Sequence, residues 1–108
     1  MPEPAGKHRA LTILEDLIAI QSVNPHYGDG ARGERDVADY IERRARRAGL
    51  RVTRQPVLPG RDNILVELRT GRAVPTLLFE SHMDTVSLGT MKDPLVPTYR
   101  GGRLYGRG

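Results

Sequence analysis

Thr76-Leu77-Leu78-Phe79-Glu80-Ser81-His82-Met83-Asp84-Thr85-Val86 decides how this 108-residue chain is read. The run 76–79, behind Pro75, has the aliphatic and aromatic content of a strand buried on both faces. His82 and Asp84 follow at spacing i, i+2, which in extended backbone puts both side chains on one face. A carboxylate can then reach the imidazole. An imidazole tied to a carboxylate through one nitrogen presents the other as a lone pair, which suits a metal. Ligands of open α/β sheets bind at the carboxyl ends of strands. The plain alternative is a polar histidine at a strand end and an aspartate opening a turn.

Working outward, Leu11, Leu14, Leu17 and Ile18 recur at helical spacing and predict a helix over 7–21, preceded by a frayed stretch 1–6. Asn24-Pro25 ends it, because the residue before proline is pushed out of the α region. A glycine-rich loop leads to a second helix over 34–48. Its expected buried face is Val37, Ala38, Tyr40, Ile41, Ala45 and Ala48, and Gly49 is its C-terminal stop. Strands are expected over 50–54, 63–68 and 76–79. A hairpin follows, with 98–100 and 103–105 flanking Gly101-Gly102. The fold class is α/β.

The composition narrows function. With no cysteine, disulfides and thiolate metal sites are excluded, so any metal must be held by histidine and carboxylate. The net charge of +4 raises a nucleic-acid reading. The basic run Arg43-Arg44-Ala45-Arg46-Arg47, however, follows acids at i, i+4 spacing (Asp39 with Arg43, Glu42 with Arg46) and has no aromatic residue to stack on bases. A solvated helix face is the better account, and no nucleic acid is expected as partner. No run approaches membrane-spanning length and no apolar signal segment opens the chain, so a cytoplasmic protein without membrane contact is expected.

Gly28-Asp29-Gly30-Ala31-Arg32-Gly33 spells a dinucleotide fingerprint, but that motif needs a strand before it, and here a helix precedes. It reads as a flexible loop. His8 and His26 read as surface residues, and no serine has a recognisable base.

The 76–86 stretch resembles the first metal motif of the peptidase M20 zinc amidohydrolases, an apolar strand and small residue followed by H-x-D-T-V. That group includes acetylornithine deacetylase, succinyl-diaminopimelate desuccinylase, aminoacylase-1 and carboxypeptidase G2. Asp93-Pro94-Leu95 is similar to its D-P-F, and Gly102-Arg103-Leu104-Tyr105-Gly106-Arg107-Gly108 to its G-x-L-Y-G-R-G. Ser22-Val23-Asn24-Pro25 and Arg61-Asp62-Asn63-Ile64 also fit.

The resemblance implies that residues 1–108 are the N-terminal portion of the metal-binding catalytic domain, with two helices packed on a sheet of three strands plus a terminal hairpin. The lid or dimerisation domain falls outside the chain. It implies His82 as a ligand of one zinc, and a catalytic part for Asp84, which holds His82 in its productive tautomer and tunes the site. The complete enzyme is expected to hydrolyse amide bonds of N-acyl amino acids or small peptides, and the resemblance allows a homodimer. Two zinc ions, or cobalt in their place, activate water while a glutamate takes its proton. The bridging aspartate, Glu-Glu pair and later ligands have no counterpart up to Gly108. The chain alone is therefore expected to be inactive, and a non-catalytic remnant associating with another chain is the rival reading.

Overall fold

In the computed structural model, which describes residues 5–29 and 32–108, the elements run α1 (Ala5–Ala19), α2 (Arg35–Arg47), β1 (Arg51–Leu58), β2 (Arg61–Glu67), β3 (Thr98–Arg100) and β4 (Arg103–Tyr105). The class is α/β: two helices with two separate two-stranded antiparallel sheets, β1 with β2 and β3 with β4. The expected fraying over 1–4 and the surface reading of the His8 side chain lie outside the described residues. Ala5 and Gly6 already belong to α1.

Local chemistry accounts for the joints. Helix α2 stops at Gly49, which takes φ +77, a left-handed conformation open to a residue without Cβ. The Gly49 N–H donates to the Arg46 carbonyl and the Leu50 N–H to the Ala45 carbonyl, closing the helix end. Gly101 and Gly102 both have positive φ, as a two-residue hairpin turn requires. Strands β1 and β2 are longer than expected. Pro56 is tolerated opposite Asp62, and an irregularity between Pro56 and Leu58 absorbs the misfit before the turn at Pro59-Gly60.

Helix α2 packs across the β1–β2 hairpin. Val37, Ala38 and Ala45 are buried on its inner side and meet buried Val52 of β1; Ala48, expected in that face, is exposed. Helix α1 is held differently. Its buried Ile18 lies so close under Gly106 that any Cβ there would overlap it. The hydroxyl of Tyr40 donates to Asp16 at 2.7 Å, and that of Tyr99 donates to Glu15 at 2.5 Å.

The third expected strand does not form. Residues 76–84 make no ladder, and Leu77, Leu78 and Phe79 are 76%, 72% and 86% exposed. A strand apolar on both faces needs neighbours on its edges and layers above and below. Among the described residues nothing supplies them. Pairing begins only at Thr85, in an isolated parallel bridge to Val23.

Candidate metal-ligand site

That bridge builds the site. The Asn24 N–H donates to the Thr85 carbonyl and the Thr85 N–H to the Ser22 carbonyl, each at 2.9 Å. Val23 between them is fully buried. The backbone on either side of Thr85 is thereby clamped to the segment that follows α1, and Asp84 is presented to Asn24. Asn24 Nδ2 donates to Asp84 Oδ2 at 2.8 Å, while Asn24 Oδ1 accepts from the His26 N–H at 2.8 Å, which fixes the orientation of the amide. The Asn24 hydrogen bond, with a smaller contribution from His82, holds the Asp84 carboxyl below the usual carboxylate range against the opposing pull of partial burial.

His82 Nδ1 lies 2.9 Å from the Asp84 backbone carbonyl and 3.1 Å from Asp84 Oδ1. A carbonyl oxygen only accepts, so Nδ1 is the donor, and in the neutral ring this tautomer leaves the lone pair on Nε2. The ring is 85% exposed, so Nε2 is accessible. The side chains of His82 and Asp84 thus meet as their spacing predicts, although the strand expected in front of them is missing.

The pair borders a cleft of about 620 Å³ whose polar lining includes Glu34, Arg61, Asn63, Glu80, His82 and Asp84. Arg61 Nε donates to Glu34 Oε1 at 2.8 Å, and the other Glu34 oxygen is buried without a partner. Glu34, helped less by the charge of Asp84, raises the Arg61 pKa above the ordinary guanidinium value. Sequence reasoning missed Asn24, Glu34 and Arg61 as parts of this site. Two were noted only as neighbours in motif stretches, and Glu34 only as a helix start.

As a metal site the residues fit one arm. His82 offers an oriented nitrogen donor, but the described residues contain no group of three or more histidine or carboxylate side chains able to hold an ion. The remaining candidates stay apart. His26 stacks edge-on against Tyr27 and is exposed. Asp29, in the glycine-rich loop, accepts from the Ser87 hydroxyl at 2.9 Å and the Leu88 N–H at 3.1 Å. Asp29 is therefore tied to residues 87 and 88, although the sequence suggested a flexible loop around it. In the basic run Glu42 pairs with Arg46 as expected, but Asp39 pairs with Arg54 of β1.

The chain's homologues, over about nine-tenths of its length, are metallohydrolases of the peptidase M20 type. Among them are an uncharacterised metallohydrolase of Methanocaldococcus jannaschii (30% identical, 92% of this chain, 27% of the relative) and a succinyl-diaminopimelate desuccinylase of Ralstonia nicotianae (33%, 91% and 26%). A cysteinylglycine-S-conjugate dipeptidase of Corynebacterium striatum is 32% identical over 95% of this chain and 23% of its own length. The chain spans about a quarter of the length of the curated relatives it matches. No family model and no solved structure matches it. No helix among the described residues is long and apolar enough to cross a membrane.

Proposed function

We propose that this chain supplies the first metal ligand of a metal-dependent hydrolase that cleaves amide bonds in N-acyl amino acids or small peptides. In this reading residues 1–108 form part of the metal-binding domain, and the substrate lid and any dimer contact belong outside them. The carrying observation is the His82 imidazole held through Nδ1 by two oxygens of Asp84, with Nε2 free. His82 is the ligand, and Asp84 fixes its ring and tautomer. Zinc is the metal of choice for a nitrogen and carboxylate donor set, with cobalt as its substitute. When bound, it supplies Lewis-acid polarisation of the scissile carbonyl and activation of water. The cleft volume lies in the range of small-molecule sites. The relatives' names, a desuccinylase and a dipeptidase, agree with amide hydrolysis. A cytoplasmic location goes with this reading.

A second reading, a non-catalytic chain that associates with another, draws on the exposed run Leu77-Leu78-Phe79. The two separate in an assay against N-acyl amino acids and dipeptides. The protein assayed joins this chain to the further ligands and general base. Under the first reading zinc-dependent turnover appears and is abolished by His82→Ala, and Asp84→Asn lowers metal affinity or activity by roughly 10–100-fold. Turnover indifferent to both substitutions would sink it.

A further inference from the structure

Arg61 borders two clefts. Beside the one containing His82 lies a second, of about 400 Å³, lined by Pro25, Arg32, Arg35, Pro59, Gly60 and Arg61. Its three arginines come from separate places: the loop before α2, the first turn of α2 and the start of β2. Two of them are oriented by carboxylates. Arg32 is gripped by Asp36 at 2.7 and 2.8 Å, and Arg61 by Glu34 at 2.8 Å. The Arg35 side chain makes no hydrogen bond or ion pair among the described residues, and only its charge reaches Asp36. Its guanidinium lies over Gly60, with Nη2 2.5 Å from where a Cβ would stand. Gly60 also takes φ +70, so the turn itself favours glycine there, and the guanidinium of Arg35 rests on the space its missing side chain leaves.

Three arginines thus line one concavity and meet two carboxylates, which leaves a positive excess and unused N–H donors. The rest of the lining, two prolines and a glycine, presents no acidic side chain to neutralise it. Planar guanidinium forks match carboxylate and phosphate oxygens in pairs, and such charge-assisted bonds are the strong ones. We propose that this cleft binds the oxyanion end, carboxylate or phosphate, of a small-molecule ligand. The site needs no metal and no catalysis, so it stands or falls separately from the hydrolase reading. Because Arg61 is shared, a ligand anchored here can extend toward His82.

The test is a titration of the metal-free chain at low ionic strength with inorganic phosphate and, separately, with acetate, read at the arginine Nε–H resonances. Saturable shifts at Arg35 and Arg61 are expected. Arg35→Gln should weaken binding by about tenfold or more, since it removes a charged donor set. Arg72→Gln, which removes an exposed arginine elsewhere, should leave affinity within about twofold. Arg35 has no structural partner, so the backbone amide spectrum of Arg35→Gln should stay native. Phosphate binding more tightly assigns the site to phosphate-bearing ligands; acetate binding as tightly or more so assigns it to carboxylates. Unsaturable shifts spread over all arginines, or equal affinity in wild type, Arg35→Gln and Arg72→Gln, would overturn the proposal.

Discussion

Asp84 carries three tasks at once: its Oδ2 accepts from Asn24, its Oδ1 and its backbone carbonyl both face His82 Nδ1. Its folded pKa is depressed, so the stabilisation it contributes is fully present above the unfolded value of about 3.9 and disappears as pH falls through the folded value. Asp84→Asn should therefore be less stable than wild type at neutral pH, and the gap should close on acidification. Urea melts of both proteins between neutral and acidic pH measure this, and a gap independent of pH would rule the account out. The His82–Asp84 contact was legible in the sequence because two residues in one short segment have few ways to sit apart. Asn24 was not, because it lies 60 positions from Asp84 and only the parallel bridge to Thr85 brings them together. Proline next to it made Asn24 read as a helix stop inside a motif stretch, with no role toward Asp84.

Among the elements, α2 and the β1–β2 hairpin are joined by Arg54. Its guanidinium donates to Glu42 and Asp39, each at 2.5 Å, and to Asp62 at 3.3 Å. These hydrogen bonds raise the Arg54 pKa, the one from Glu42 most, and Arg54 with Arg46 lowers that of Glu42. The side chain is 28% exposed, so solvent and salt weaken the network without erasing it. Arg54→Met keeps the aliphatic stem but leaves three carboxylates facing one another. It should cost about 1–3 kcal/mol in chemical denaturation, and less at high salt. No loss, or a loss indifferent to salt, would mean that apolar packing alone joins helix to hairpin. Gly49 and Gly101-Gly102 were readable because a left-handed turn is a local demand. The Arg54 network was not, since i, i+4 spacing assigns Asp39 to Arg43 and says nothing of a strand arginine 15 residues on.

As a whole the molecule is broad and thin, 50 × 47 × 22 Å, with a radius of gyration of 16.0 Å. A compact domain of this length has about 13 Å. The hydrophobic residues buried among those described are few, Ile18, Val23, Val37, Ala38, Ala45 and Val52, while Leu77, Leu78 and Phe79 face outward. The sequence pattern at 76–79 reports an apolar segment correctly but cannot report whether this chain holds the partners to cover it. Phe79 therefore stabilises little here and offers a site for self-association. Phe79→Ser should change stability by less than about 0.5 kcal/mol and lower aggregation measured by light scattering. A large destabilisation would show that the run is covered in solution.

The proposed site rests on Asp84 holding His82 with its proton on Nδ1 and its lone pair on Nε2. Long-range ¹H–¹⁵N correlation spectra of the imidazole in the metal-free chain at neutral pH report the tautomer directly. The account predicts a protonated, pyrrole-type Nδ1 and an unprotonated Nε2 that alone responds when zinc is added. A proton on Nε2, or zinc arriving at Nδ1, would contradict it.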